Sequence, residues 1–130
     1  MPRILRFYDR FVDPILERTK THTLRARTLV KPGELVSLRA WKGKAFRAGS
    51  KQVEILLVEC KSVDPVFFEV DRRNGRVHLK LDGEWLDPME LLLFVWADGF
   101  NSIEDFCYYH IQKGTTQFDG VVITWRHLEN

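Results

Sequence analysis

A hexapeptide near the N-terminus brings together five side chains that can take part in chemistry. It reads Lys20-Thr21-His22-Thr23-Leu24-Arg25 and supplies a primary amine, two hydroxyls, an imidazole and a guanidinium. A hydroxyl can attack an amide carbonyl without a metal when a neighbouring amine takes its proton, as in serine-lysine sites. Thr23 and Lys20 are therefore a candidate nucleophile and base. The alternative interpretation is a solvated turn, because short polar motifs recur by accident.

The geometry of this pair depends on where the next strand begins. Strict alternation along a strand would place Lys20 and Thr23 on opposite faces and would group Thr21, Thr23 and Arg25 instead. The pair converges only if Lys20 lies in the turn before the strand. Arg25 is the best candidate for holding a phosphate or a carbonyl group, since a guanidinium presents several donors in a fixed fork.

The two halves of the sequence carry opposite charge. Residues 1–51 hold 13 Lys or Arg against 4 Asp or Glu, a balance of +9, whereas residues 52–130 hold 7 against 14, a balance of −7. Trp41, Lys42 and Phe46 lie together in the basic half. Basic side chains mixed with aromatic ones suit phosphate neutralisation and base stacking, so they favour RNA or a nucleotide as ligand. Folding can also interleave the halves and mix their charges.

Length and composition predict one domain over residues 1–130, because this length supports a single core and 45% of the residues are hydrophobic. No segment has the pattern of a signal peptide or the length of a membrane span, so we expect a cytoplasmic monomer without membrane contact. Cys60 and Cys107 lie in apolar segments and are expected to be reduced core residues.

The four histidines are scattered and lack the spacing of a metal pair. We therefore expect packed or surface histidines, of which only His22 lies near the site, and no metal or cofactor. The acids near the predicted helices include Glu69, Glu90 and Asp98. Asp98 is also compatible with a plain role as an exposed acid in a loop.

The elements that must position these residues can be placed from their patterns. Strands are predicted at residues 4–8, 23–29, 34–41, 53–61 and 76–81, with a closing strand at 118–125. Asp13-Pro14, Asp87-Pro88 and Ser102 have the residue types of helix starts. The apolar residues Met89, Leu92, Leu93 and Trp96 recur at helical spacing and are expected to face the core, as are Phe118 and Trp125. Many strands and few helices predict an α+β fold built on a small, closed or nearly closed sheet.

Four ordered segments resemble an ASCH domain, a member of the PUA-like superfamily. They are Phe11 with the helix at 15–17 and the Lys20-Thr21-x-Thr23-x-Arg25 segment, the turn and strand at 31–36, Ala97-Asp98-Gly99-Phe100 with the following 102–106, and the strand at 118–125. The resemblance covers nearly the whole chain. It implies a PUA-like small mixed β-barrel with short helices covering its ends.

The resemblance also implies an activity. One activity within the ASCH group is hydrolysis of N4-acetylcytidine to cytidine and acetate by a Lys, a Thr and a Glu. Matching residue by residue puts the Lys on Lys20, the Thr on Thr23 and the acid on Asp98, where Asp replaces the expected Glu. That carboxylate is shorter by one methylene, so Glu69 and Glu90 remain possible substitutes. Thr21, Arg25 and Trp41 are our candidates for binding the substrate.

Two functions from different classes follow. The first is a metal-free amidohydrolase acting on N4-acylated cytosine nucleosides. The second is an RNA-binding PUA-like domain that contacts RNA through Lys20, Arg25, Trp41 and Lys42, with ribonuclease activity as a variant. The Lys20 and Thr23 match favours the enzyme, whereas the basic N-terminal half favours RNA.

Overall fold

The computed structural model describes residues 1–42 and 51–128, with Lys42 described only in its backbone. A 3-10 turn at Asp9–Phe11 leads into the first of three α-helices. The helices are α1 (Val12–Leu16), α2 (Pro88–Ala97) and α3 (Ile103–His110). The strands are β1 (Arg3–Phe7), β2 (His22–Arg25), β3 (Leu35–Lys42), β4 (Lys51–Val70), β5 (Val77–Leu81), β6 (Glu84–Trp85) and β7 (Gln117–His127).

All seven strands belong to one sheet, so the predicted α+β class is confirmed. One path through the sheet runs β1-β3-β4-β5-β6, and a second branch runs from β4 through β7 to β2. Only the pairing of β1 with β3 is parallel. The sheet is open, because no ladder joins β1 to β2 within the described ranges. The Arg25 guanidinium spans this gap, where Nη2 donates to the Arg6 carbonyl oxygen at 2.7 Å.

The long strand β4 is the spine of the sheet. Its first part pairs with β3, its middle with β7 and its last residues with β5. The sequence predicted that this strand ends at Lys61, but it continues through Pro65 to Val70. Proline is tolerated there because β3 has ended its pairing at Glu59 and β5 begins only opposite Val66, so no ladder on that side needs the missing N–H.

Capping residues explain where two helices begin. Asp87 forms a capping box with Glu90 and Pro88 occupies the first turn, as the sequence predicted for α2. Ser102 accepts a hydrogen bond from the Asp105 amide and so starts α3. The first helix differs from the prediction, since it begins before Pro14 as a continuation of the 3-10 turn.

The predicted inward face of α2 is wrong. Met89, Leu93 and Trp96 are 63%, 54% and 48% exposed, and the core-facing residues are Leu91, Phe94 and Val95. The segment is apolar almost all round, so spacing alone does not select a face. The residues at 91, 94, 95 and 98 share one face, and burying it carries Asp98 into the interior.

The core lies between the sheet and the helices. Its largest fully buried apolar side chains are Phe68, Phe100, Phe106, Ile15 and Leu38. Trp125 is buried as predicted, and Cys60 is a buried free thiol while Cys107 is a half-buried one. None of the helices in the described ranges is long and apolar enough to cross a membrane.

Candidate active site

A small cavity lies where the start of β2 meets the ends of α2 and α3. Its volume is about 200 Å³. Three predicted catalytic residues, Lys20, Thr23 and Asp98, line it together with Arg25. The remaining lining residues are mostly apolar or aromatic: Phe7, Phe11, Leu24, Ala26, Phe100, Tyr109, His110 and Phe118.

Lys20 reaches the cavity from the turn before β2, which meets the condition set by the sequence. Helix α1 ends with Arg18 in the left-handed conformation at φ 65°. The Arg18 and Thr19 amides donate to the carbonyl oxygens of Ile15 and Pro14, the pattern of a Schellman motif. This reversal directs Lys20 inward, where it is 1% exposed.

The Lys20 ammonium is held by Asp98. Nζ donates to the Asp98 backbone oxygen at 2.5 Å and to Oδ1 at 3.1 Å. Nζ also lies 4.7 Å from the centroid of the Phe11 ring, a distance at which cation–π attraction contributes. The amine is therefore enclosed by one carboxylate, one carbonyl and aromatic carbon.

Asp98 is the C-cap residue of α2 and is fully buried, so the alternative of an exposed loop acid is wrong. Gly99 and Phe100 donate to the carbonyl oxygens of Trp96 and Val95, which forms a second Schellman motif. Gly99 has a φ of 91°, and a Cβ there would lie 3.0 Å from Cδ of Lys20. Glycine is required by both its backbone conformation and its distance from Lys20.

Two histidines complete the polar cluster. His110, the last residue of α3, places Nε2 2.8 Å from Oδ2 of Asp98 and lines the cavity. His22 packs against the Phe94 ring and has Nε2 3.8 Å from Oδ1 of Asp98, beyond hydrogen-bond distance. The expectation that only His22 lies near the site is therefore wrong.

Burial and charge determine the protonation of the cluster. Burial alone would raise the pKa of Asp98, but the Lys20 charge and the His110 hydrogen bond hold it below its usual value. Burial lowers the pKa of Lys20, and the Asp98 charge opposes part of that effect. Burial also lowers the pKa of His22 to about 4. At neutral pH Asp98 is thus a carboxylate, and the His22 ring beside it is neutral.

Thr23 and Arg25 each have a polar atom without a partner among the described residues, although Nη2 of Arg25 donates to Arg6. Across the described ranges, no side chain or backbone group pairs with the Thr23 hydroxyl, and Lys20 Nζ does not reach it in this arrangement. Arg25 forms no ion pair with a described carboxylate, and its buried Nε has no partner. A guanidinium left in this state suits a carbonyl or anionic group of a ligand.

A second, larger cavity of about 440 Å³ adjoins the first. Phe7, Arg25 and Tyr109 line both cavities and form the wall between them. The larger cavity is also lined by Trp41 and by Ile4, Leu5, Arg6 and Tyr8. Trp41 is therefore separated from Thr23 by the width of this wall. Two arginines and three aromatic side chains with polar atoms face this outer space.

Other candidates lie elsewhere. Thr21 is held by its backbone, which bonds to Ala97 and Trp125, and it is not among the residues that line the cavity. Glu69 lies on β4 opposite Gln117, and Glu90 caps α2 at the surface, so neither takes the place of Asp98. The side chain of Lys42 and the whole of Phe46 lie outside the described residues.

Sequence reasoning missed His110 and Phe118 as site residues. Phe118, expected in the core, is half-buried and lines the cavity. One signal for His110 was available, since it lies twelve residues after Asp98 at the end of the helix that Ser102 begins. His110, at the end of α3, lies near Asp98 only because α3 packs against the core, which it does through Phe106.

In the described part of the chain, no group of three or more His, Cys, Asp or Glu side chains is placed to hold a metal ion. Comparisons of the chain with protein-family models, with curated proteins and with solved structures gave no match.

Proposed function

We propose that this protein is a metal-free amidohydrolase that cleaves N4-acylated cytosine nucleosides, such as N4-acetylcytidine, to cytidine and a carboxylic acid. The observation that carries the proposal is the convergence of Lys20, Thr23 and Asp98 on one small cavity, although Asp98 lies 75 residues beyond Thr23 in the sequence. These are the residues matched to the ASCH catalytic set. Thr23 attacks the carbonyl, Lys20 and Asp98 form the charged pair that assists it, and Arg25 holds the substrate.

Cavity size supports a division of the substrate between the two spaces. Ligand sites usually have volumes of roughly 300–1,000 Å³, so the inner cavity of about 200 Å³ suits only a fragment such as an acylated amine. The outer cavity of about 440 Å³ has room for the ribose. The Arg25 side chain in the shared wall would then lie beside the pyrimidine between the two.

The same proposal includes a PUA-like barrel, a monomeric state and a cytoplasmic location. A PUA-like barrel is supported by the Arg25 to Arg6 bond, which joins the two strands left without a ladder between them. A monomer suffices for the activity, because one chain supplies every residue that lines the cavity. A cytoplasmic setting agrees with two free thiols at Cys60 and Cys107.

Hydrolysis of N4-acetylcytidine by purified, EDTA-treated protein, followed by ultraviolet absorbance, tests the activity. Thr23→Ala and Lys20→Ala should each reduce turnover on the order of a thousandfold or more, because residues of a catalytic set act as a unit. Thr19→Ala changes an exposed threonine on the same segment and should leave turnover unchanged. Wild-type turnover in Thr23→Ala would remove the nucleophile assignment.

RNA binding, with or without ribonuclease activity, is the second candidate, and the outer cavity favours it. Arginines for phosphates and aromatic side chains for bases are the components of single-strand sites. If RNA binds there, affinity should fall steeply with salt, and Arg6→Gln should reduce the salt slope by about one. Arg72→Gln, in the exposed turn after β4, is the matched control. Binding that ignores salt would exclude this candidate.

A further inference from the structure

The contact between His110 and Asp98 defines the position of the imidazole hydrogen. The two side chains are 6% and 0% exposed, and Nε2 lies 2.8 Å from Oδ2. The Asp98 carboxylate is ionised next to Lys20 and can only accept hydrogen bonds. Nε2 of His110 therefore carries the hydrogen and donates it, and in the neutral ring Nδ1 keeps its lone pair.

Nδ1 of His110 has no partner within the described ranges, although the ring lines the cavity that Thr23 also lines. The ring itself is fixed on several sides. Its centroid lies 4.8 Å from that of Phe106, 5.5 Å from Phe100 and 5.6 Å from Phe118. A histidine bonded to a carboxylate through one nitrogen, in a cavity that a threonine also lines, supplies the components of a hydrolytic triad.

The amine of Lys20, unlike Nδ1 of His110, already has hydrogen-bond partners. Its Nζ donates to the backbone oxygen and to Oδ1 of Asp98, and in this ion pair it has no free lone pair with which to take a proton. Its third N–H and its charge remain available to a developing oxyanion. The geometry thus separates two roles that the sequence assigned to one residue.

We propose that His110 is a catalytic residue that accepts the Thr23 proton at Nδ1 and delivers it to the leaving nitrogen, while Lys20 acts as a cation. This inference rests on the proposed amide hydrolysis. Thr23 Oγ1 bonds to the acyl carbon, and its proton moves to Nδ1. The tetrahedral intermediate then breaks its C–N4 bond, N4 takes the proton from Nδ1, and cytidine leaves.

In the second half of the reaction, hydrolysis of the acyl-Thr23 ester regenerates the free Thr23 hydroxyl and the neutral His110 ring. Water attacks the acyl-Thr23 ester and gives one proton to Nδ1 of His110. The ester C–O bond breaks, the proton returns to Thr23 Oγ1, and the carboxylic acid leaves. One amide and one water are consumed for one amine and one acid. In both halves the oxyanion forms beside Lys20 and Arg25, where fixed positive charge stabilises it most.

Charged and polar groups surround the His110 ring. Asp98 faces it from the end of α2, Lys20 from the turn before β2 and Arg25 from β2, with Tyr109 adjacent on α3 and His22 beyond Asp98. The negative and positive charges nearest the ring, those of Asp98 and Lys20, are paired with each other.

The experiment uses p-nitrophenyl acetate as an activated acyl donor, so that it does not depend on the natural substrate. Release of p-nitrophenolate measures acylation, and peptide mass spectrometry locates the acetyl group. Thr23 should be acetylated by the wild-type protein, and His110→Asn and His110→Gln should each acylate on the order of a hundredfold more slowly. His78→Asn, an exposed histidine on β5, is the matched control. Free imidazole should restore part of the rate in His110→Ala.

The outcomes separate this inference from the proposed substrate. Labelling of Thr23 that requires His110, without turnover of N4-acetylcytidine, would support the inference and reject the substrate. Wild-type rates in both His110→Asn and His110→Gln, or no labelling of Thr23 in the wild-type protein, would overturn the inference. Thermal unfolding of each variant shows that the comparison is made between folded proteins.

Discussion

Helices α1 and α2 both end at the site in a Schellman motif, but α1 has Arg18 at the left-handed position where α2 has Gly99. The Arg18 side chain is exposed, so it adds no contact to the site. Gly99 lies against Lys20, and a Cβ there would lie 3.0 Å from Cδ of Lys20, so the Lys20 side chain would have to shift. The two ends therefore deliver opposite charges by the same backbone geometry, and only the α2 end is restricted to one residue type by the site itself.

The largest effect is expected from breaking the charge pair that joins the two helix ends. Lys20→Met and Asp98→Leu should each destabilise the protein by about 3–5 kcal/mol, because each leaves an uncompensated buried charge. The double variant should lose much less than the sum. Chemical denaturation measures the free energy of unfolding of the two single variants and of the double variant. As a control, Arg3→Met breaks a surface ion pair with Glu34 and should lower the free energy of unfolding by only about 0–1 kcal/mol. If the losses of the two single variants at Lys20 and Asp98 simply added in the double variant, the pairing would be contradicted.

A smaller loss of stability is expected when the pH falls, because His22 is buried beside Asp98. The pKa of His22 is about 4 in the folded protein against 6.5 unfolded, so the unfolded chain binds more protons between these values. Stability should therefore fall by about 3 kcal/mol as the pH drops from 6.5 to 4. The pKa of Asp98 is held below its usual value of 3.8, so the stability that this carboxylate contributes is lost mainly at a pH lower than this range. Denaturation across this range in His22→Gln should show a flatter profile, whereas the exposed His78→Gln should match the wild type.

The smallest effect is expected from exchanging the residue types at the two left-handed positions. Gly99→Ala should destabilise the protein by about 1–3 kcal/mol, because it combines backbone strain with a contact on Lys20. Arg18→Gly should stabilise it by about 0.5–1 kcal/mol, since relief of the strain exceeds the added chain entropy. Thermal unfolding shows whether Gly99→Ala lowers the stability and Arg18→Gly raises it. Equal and small losses at the two positions would show that Lys20 does not constrain α2.

Much of the fold could be predicted from local patterns. The capped starts of α2 and α3, the β1, β3 and β5 strands and the closing β7 strand depend on residues within a few positions of one another. The full length of β4 could not be predicted. Its last nine residues are held by β5 and β7, partners distant in sequence, which outweigh the local preference of Pro65 to end a strand.

The site was predicted in part for the same reason. Lys20 and Thr23 lie in one short motif, and the Asp98-Gly99 pair has the composition of a helix end. His110 could not be assigned, because its contact with Asp98 depends on how α3 packs against the core. The inward face of α2 was also ambiguous, since its sequence is apolar on almost every side, and the face that is buried also carries Asp98. The ASCH resemblance and the activity that it implies remain predictions.

The backbone of the hexapeptide has partners that lie far along the chain. The Thr21 amide donates to Ala97, its carbonyl accepts from Trp125, and β2 pairs along Val121 to Thr124. During synthesis on the ribosome this segment must wait for about a hundred further residues before its hydrogen bonds can form. The side chains of the cavity consequently cannot take up the arrangement described above before β7 has been synthesised and has paired with β2.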